Sequence, residues 1–436
     1  MTTSNFSKVV KGKLYATIEA LEQRKERFIR EPGKDFSRKR KISFQEVIKL
    51  ILAKGSGSID KELLEFFDYD METITSSGFV QNRVKILPTV FSTLLKEFTH
   101  SFEDYKTFKG YRVVAVDGSD LHVPHDPTDK ETYFRSREDR KGHNAIHVNA
   151  LYDLINRVFL DGSIQPGKKT HETKALNQMV DNSPLEKDVL LIADRGYECY
   201  NTFAHLMEKG WKFLIRVKDT DSKSMLSTFG LPKTEEFDTS VHRIITRKRT
   251  NAVREQPTLY KPLPQNKTFD YLNKDQLFYP MSFRAVRVKL DDGSFQCFIT
   301  NLDEDQFSME EIKVLYHMRW GIETSFRELK HTLALTHLHS KKTESIVQEI
   351  FAKMTMYNFC SIITSHVAIN QKSRKYDYQV NFSKAISICK RFLTGNNASI
   401  NVEGLIQKYI LPIRQGRSSP RKVKSRTFVS FNYRVA

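Results

Sequence analysis

Cysteine is scarce in this 436-residue chain, with only Cys199, Cys297, Cys360 and Cys389. They are scattered without zinc-type pairs, which argues against a structural zinc and gives no disulfide framework. Long apolar runs are missing as well. No window offers the roughly 18 uncharged residues of a spanning helix, and the N-terminus lacks the apolar core of a signal peptide. Tryptophan occurs only as Trp211 and Trp320. Acid is the minority charge: 52 Asp and Glu face 70 Lys and Arg, for a formal net charge of +18 and a pI near 9.5. Such an excess calls for a polyanion, and with no membrane segment in sight nucleic acid is the simplest one. The chain does not have the low hydrophobicity of a disordered one, since 39% of it is apolar and 11% aromatic. Its length exceeds one compact core, so a multidomain, cytoplasmic, nucleic-acid-facing protein is expected.

Positive charge is concentrated. Residues 24–41 hold nine Lys or Arg against three acids, enough to grip phosphates without sequence preference. Short helices follow. Ser43 to Glu46 forms a capping box ahead of VIKLILAK, Ser58 caps a run to Phe67, Ser76 or Ser77 a third, and Pro88 opens a fourth. They fit a helix-turn-helix-like DNA reader and a plain helical bundle equally well.

After Tyr105 the period becomes that of strands, at Tyr111–Asp117, Ile146–Leu154 and Arg157–Gln165. A helix from Glu172 to about Asp181 precedes Asp188–Asp194, whose apolar run marks a strand buried on both faces. A helix at Cys199–Gly210 and a strand at Trp211–Val217 follow. A long detour then holds the basic, strand-like Arg243–Thr250 and a hairpin pairing Phe283–Leu290 with Phe295–Thr300 across Asp291-Asp292-Gly293. Arg247, Lys248 and Arg249 make this β-rich insertion positive enough to touch DNA. Glu344–Val367 reads as a long helix, and Asp377–Leu393 with Val402–Leu411 as a small helical unit. The last 23 residues, from Arg414, carry seven Lys or Arg and no acid, a basic arm.

Chemistry concentrates at LYHMRWGIETSFRELK, Leu315 to Lys330. Tyr316, Arg319, Glu323 and Lys330 lie three, four and seven residues apart and share one face of a helix. Leu315, Met318, Ile322 and Leu329 form the adjoining apolar face. Alone, the polar face is either a solvated charged surface or a carboxylate held among cations beside phosphates. Asp117 and Asp194 each close a proposed strand, and side chains at carboxyl strand ends converge on a crevice. With Glu323 as a third carboxylate, such a crevice suits two Mg²⁺ ions for in-line phosphoryl displacement. Asp120 reads as a turn residue, and Glu172 as a helix-starting acid that favours the dipole, with a role behind the site as the lesser alternative. His122, His125, His143 and His147 are too irregularly spaced for zinc and read as structural or DNA-adjacent. Trp320 is expected in the core.

These motifs carry a resemblance. The chain resembles bacterial insertion-sequence transposases of the DDE class, the "IS-four" group, whose Tyr-x2-Arg-x3-Glu-x6-Lys signature is matched without a gap by Tyr316, Arg319, Glu323 and Lys330. VDGSD around Asp117 resembles the first-Asp motif and ADRGY, Ala193–Tyr197, the second. RKISFQEVIKLIL and SSGFVQNRVKILP are similar to the group's N-terminal segment, so the likeness spans about Phe36 to His339. It implies a multidomain α/β protein with a ribonuclease-H-like catalytic core, interrupted by a β-rich insertion and flanked by helical regions. The expected boundaries are 1–105 for a helical DNA-binding region, 106–218 with 301–375 for the core, 219–300 for the insertion, and 376–436 for a helical unit with a basic tail.

The resemblance implies that Asp117, Asp194 and Glu323 bind two Mg²⁺ ions, with Mn²⁺ as a substitute. Tyr316, Arg319 and Lys330, joined by Arg327, would grip phosphates at the transposon end. Partners would be duplex DNA with terminal inverted repeats, target DNA and a second copy of the chain in a synaptic complex. In some relatives an insertion-domain Trp stacks on a flipped base while a DNA hairpin forms. Here neither Trp lies in the insertion, and Phe295 or Phe298 is the candidate substitute. The rivals are a nuclease on the same fold and an inactive transposase-derived DNA-binding protein.

Overall fold

The structure, a computed structural model, describes residues 6–38, 40–135, 142–220, 224–369, 371, 376–395 and 400–413. The expected basic arm from Arg414 lies outside them. Among the described residues no helix is long and apolar enough to cross a membrane.

Five helices open the chain: α1 (Phe6–Gln23), α2 (Phe44–Ala53), α3 (Ile59–Phe66), α4 (Ser76–Val84) and α5 (Thr89–His100). The first is absent from the elements expected above, although Val10, Leu14, Ile18 and Leu21 recur at helical spacing and are buried. The Ser43–Glu46 capping box forms, and the Ser58 hydroxyl accepts from the Lys61 N–H. The third cap is Thr75, one residue earlier than expected, accepting from Gly78.

Next come β1 (Arg112–Val123), β2 (Tyr133–Phe134), β3 (His143–Asp153), β4 (Val158–Pro166), α6 (Glu172–Asp181), β5 (Val189–Ala193), α7 (Tyr200–Glu208) and β6 (Lys212–Val217). They are followed by β7 (Phe237–Thr246), α8 (Asn251–Glu255), β8 (Tyr260–Pro262), β9 (Phe278–Lys289) and β10 (Phe295–Thr300). The fold is mixed α/β around one large sheet ordered β3-β1-β5-β6-β10-β9-β7-β8, with β2 and β4 pairing to the other edge of β3. The β1–β5 and β5–β6 ladders are parallel, whereas β10 joins β6 antiparallel. The hairpin of β9 and β10 forms as expected, turning at Gly293 with φ +81°, and extends the sheet past β6. The basic strand stops at Thr246, so Arg247, Lys248 and Arg249 belong to the loop that follows rather than to a strand through Thr250.

The chain closes with α9 (Met309–Met318), α10 (Trp320–Arg327), α11 (Thr343–Ser365), β11 (Tyr378–Val380), α12 (Phe382–Thr394), α13 (Val402–Lys408) and β12 (Ile410–Pro412). The last unit is thus not wholly helical, since β11 and β12 pair antiparallel. All five residues of β5 are buried. Leu190 and Ile192 pack with Ile312 and Leu315 of α9, while Val189, Leu191 and Ala193 enter the larger core on the opposite face. Cover on both faces is why the strand is apolar throughout.

Helix α11 is buried along most of its length and still carries polar anchors. Asn358 accepts from the Phe159 N–H at 2.7 Å, and its amide donates to the Phe159 carbonyl and to Thr99 Oγ1. Glu349 pairs with Arg83 at 2.9 Å and approaches Lys54, all three buried. Gln348 donates to the Ile86 carbonyl at 2.7 Å. These bonds tie α11 to α4 and the segment after it, to α5 and to β4.

Candidate active site

The β1–β5 ladder ends at the pair Ala115 and Ile192. Two residues further on each strand, in the same register, come Asp117 and Asp194. Asp117 does not end its strand as expected. β1 runs on to Val123, paired to β3 alone, with Asp117 opposite Ala150 and Asp120 opposite His147. Long-range pairing, invisible to local propensity, extends it. Asp194 does follow its strand, capping a 3₁₀ turn and accepting from the Gly196 N–H at 2.8 Å.

Glu323 arrives from α10, which packs along β1 through buried Ile322 and Phe326. The expected single helix is broken into three parts. Helix α9 ends at Met318, Arg319 bridges to α10, and Glu328–Thr332 forms a π-helical turn. Gly321 lets α10 approach the loop after β3, because a Cβ there would stand 3.0 Å from Leu154 Cδ2. The π turn re-aims Lys330, whose Nζ donates to Ser119 Oγ at 2.7 Å and to the Asp120 carbonyl at 2.9 Å. That places the ammonium beside the first aspartate's strand.

Arg319 is the hub. Its Nη2 lies 2.5 Å from Glu323 Oε1, and its Nη1 stands 4.0 Å from Asp117 Oδ2. Burial opposes the guanidinium's charge, but Glu323, Tyr316 and Asp117 outweigh it and hold the group above its ordinary value. Asp117 is pushed up to about 6. Burial does most of this, Glu323 and Asp194 add to it, and the Gly118 N–H and Arg319 pull the other way. Burial also lowers Lys330 from its usual range, against the pull of Asp120 and Asp117. Tyr316 packs its ring on Phe298, 4.9 Å between centroids, with the Arg319 guanidinium 5.8 Å away.

Other expected residues are placed elsewhere. Trp320, expected in the core, is 59% exposed, because the break at Arg319 turns it outward. Phe298 is fully buried under Tyr316 and has no free face for a base. Phe295 is half-buried beneath Arg287, 4.0 Å from its ring centre. Arg327 is exposed, 3.5 Å from Thr324. Arg247 donates to the carbonyls of Pro264, Gln265 and Lys267, while Lys248 and Arg249 are exposed. They follow β7, five strands from β1 in the sheet and so roughly 24 Å across it.

The site also gains members that sequence reasoning placed elsewhere or passed over. Asp120 is a strand residue, not a turn residue, and its Oδ1 lies 2.7 Å from His147 Nδ1. His147 Nε2 lies 3.0 Å from Oε1 of Glu172, the first residue of α6. Tyr197, in the turn after Asp194, is buried with no hydrogen-bond partner for its hydroxyl among the described residues. The sequence signal for Glu172 was a pair of glycines, Gly118 directly after Asp117 and Gly196 two residues after Asp194. What arises is an all-oxygen set of acids flanked by a guanidinium and an ammonium, suited to a hard cation and a phosphate.

Comparison with known proteins agrees with that chemistry. A family described as "Transposase DDE domain" matches residues 108–359, more than half of the chain. The chain belongs to the DDE transposase family. It is 22% identical over 320 residues to the transposase for insertion sequence element IS231C of Bacillus thuringiensis subsp. berliner, covering 65% of this chain and 64% of that one. To the IS231F transposase of Bacillus thuringiensis subsp. israelensis it is 23% identical over 387 residues, 80% and 78% of the two chains. A shorter stretch of 135 residues is 31% identical to transposase InsG for IS4 of Escherichia coli (strain K12), 28% and 30% of the two chains. The match thus spans just under two thirds of the IS231C protein.

Proposed function

We propose that this chain is a bacterial DNA transposase acting on the ends of an insertion sequence. It binds terminal inverted repeats, cuts there by metal-assisted phosphoryl transfer and joins the freed 3′-hydroxyl to target DNA by a cut-and-paste route. The reading takes β4-β3-β1-β5-β6 as a ribonuclease-H-like core, supported by two antiparallel ladders followed by two parallel ones. The observation that carries it is the shared register of Asp117 and Asp194 on neighbouring parallel strands, with Glu323 facing them through Arg319.

Asp117, Asp194 and Glu323 are the carboxylates we assign to the divalent ions. The fit rests on donor chemistry: every group is an oxygen ligand, and Asp117 is raised by burial and by two neighbouring acids. Among the described residues no three acids or imidazoles close on one point as they stand. Arg319 holds Glu323 instead, and its release both frees a ligand and gives the guanidinium to a phosphate. When bound, two Mg²⁺ ions, or Mn²⁺ in their place, supply Lewis acidity for the attacking and leaving oxygens. Lys330, fixed against β1, meets the phosphate as a point charge, and Tyr316 offers a hydroxyl near it.

The partners are duplex element ends, target DNA and a second copy of the chain in the synaptic complex, and the setting is the bacterial cytoplasm. Arg327, Arg247, Lys248 and Arg249 are assigned to outlying phosphates. A strand-transfer assay with labelled ends and Mg²⁺ tests the reading. Joined products are expected. Cutting without joining leaves the nuclease reading, and binding without either leaves an inactive DNA-binding protein.

A further inference from the structure

Gly118 directly follows Asp117 and Gly196 lies two residues after Asp194, and neither is required by backbone conformation, since neither has positive φ. Side chains fill the space a Cβ would take at each, and Glu172 is common to both. A Cβ on Gly118 would fall 2.6 Å from Glu172 Oε1 and 2.3 Å from His147 Nε2. A Cβ on Gly196 would fall 3.4 Å from the other oxygen, Glu172 Oε2, and 3.0 Å from Asp194 Oδ1. Glu172 therefore stands between strand β1 just past Asp117 and the turn just past Asp194, Oε1 toward Gly118 and Oε2 toward Gly196. His147 reaches its Oε1 at 3.0 Å and is itself backed by Asp120 at 2.7 Å, a chain of three side chains from three elements. An acid serving only the α6 dipole needs no such support.

A second observation points into the same space. Tyr197 is 1% exposed, and its hydroxyl has no hydrogen-bond partner among the described residues. Burial first, and then the carboxylates of Glu172, Asp117 and Asp194, hold this hydroxyl well above its ordinary range, with Arg319 opposing. A buried hydroxyl without a partner is unfavourable, so it points to a polar ligand at this place. Glu172 is also open to that space, its side chain 38% exposed.

We propose that Glu172 is a fourth carboxylate of the catalytic centre, facing the divalent ion together with Asp117 and Asp194, and that His147 and Asp120 are its positioning residues. The Tyr197 hydroxyl is the donor to a water of that ion's shell. This rests on the assignment of Asp117, Asp194 and Glu323 made above. It makes the first half of the site, Asp117, Asp194 and Glu172, a set whose bases are sheet-borne or held by the sheet. Glu323 comes from a broken helix and is held by Arg319.

The test is Mn²⁺ binding to the full chain without DNA, followed by electron paramagnetic resonance, with far-UV circular dichroism as the check on folding. Glu172→Gln is expected to weaken Mn²⁺ binding about 10-fold or more, and His147→Gln about 10-fold, as supporting partners of ligands do. Tyr197→Phe is expected to weaken binding several-fold and, in chelator, to melt no lower than wild type, since the lost hydroxyl bonds nothing in the protein. Asp117→Asn is measured alongside. Wild-type binding by Glu172→Gln while Asp117→Asn has lost it overturns the proposal and leaves the three assigned carboxylates standing. Wild-type binding by both overturns the site assignment itself. Should Glu172→Gln not fold, Tyr197→Phe decides, and wild-type Mn²⁺ affinity in that variant overturns the proposal.

Discussion

Asp117→Asn should stabilise the chain while disabling it, and only above a particular pH. Asp117 is raised from 3.8 to about 6 and its side chain is 23% exposed. Between those values the folded state keeps a proton that the unfolded chain has released, so stability falls as pH rises through the window. Below about pH 4 the cost of ionising Asp117 is absent, and above about pH 6 it is complete. That rise corresponds to about 3 kcal/mol, or about 2 kcal/mol after allowance for solvent screening. Asparagine can still accept the Gly118 N–H, which now reaches Asp117 Oδ1 at 2.9 Å, and carries no charge. In chelator near neutral pH the variant should melt a few degrees above wild type. The gap should close as the buffer approaches about pH 4. Added Mg²⁺ should reverse the order, because a ligand at 100 times its Kd stabilises wild type by about 2.7 kcal/mol and the variant hardly at all. Paired thermal melts across pH, with and without Mg²⁺, measure all of this. Equal melting in chelator near neutral pH, or a gap that does not change with pH, would refute the electrostatic account of this carboxylate.

Further outcomes follow from the same geometry. Arg319→Ala and Lys330→Ala should weaken the complex with a cut end more than that with uncut duplex and slow single-turnover cleavage by about 100-fold; Arg319→Lys should also be impaired, and wild-type behaviour in all three would return this face to solvent. Glu349→Gln should lower stability by about 3–5 kcal/mol in denaturant titration, because Arg83 and Lys54 would be left buried without their acid. Arg38→Ala with Arg40→Ala, exposed in the basic segment, should weaken binding to any duplex and lower the salt slope by about one for each phosphate no longer neutralised. An unchanged slope would mean that other cations neutralise the phosphates.

What the sequence disclosed was whatever has a short period or a fixed turn chemistry. The apolar run of β5, the Gly293 hairpin and the capping box at Ser43 all formed as read. Arg319, Glu323 and Lys330 do come near Asp117, though from a broken helix and a π turn rather than from the single helix expected. The features that escaped depend on partners distant in sequence. β1 passes Asp117 because β3 continues to pair with it, and Asp120 is a strand residue for the same reason. The helix breaks at Arg319 and widens at Glu328, so Trp320 is exposed rather than buried. Glu172 could not be separated from an ordinary helix-starting acid until Gly118 and Gly196 were seen to flank it. Helix α1 is not among the expected elements despite its regular apolar stripe of Val10, Leu14, Ile18 and Leu21.

The central claim is that Asp117, Asp194 and Glu323 form one metal-dependent centre for cutting and joining DNA. The most direct measurement is single-turnover cleavage and joining of a labelled element end in Mg²⁺ by Asp117→Asn, Asp194→Asn and Glu323→Gln. Gel-shift affinity for that end is measured on the same preparations. Each variant is predicted to bind the end nearly as wild type does and to neither cut nor join it. Near-normal Mg²⁺-dependent cleavage by any one of them would remove that residue from the centre and contradict the account.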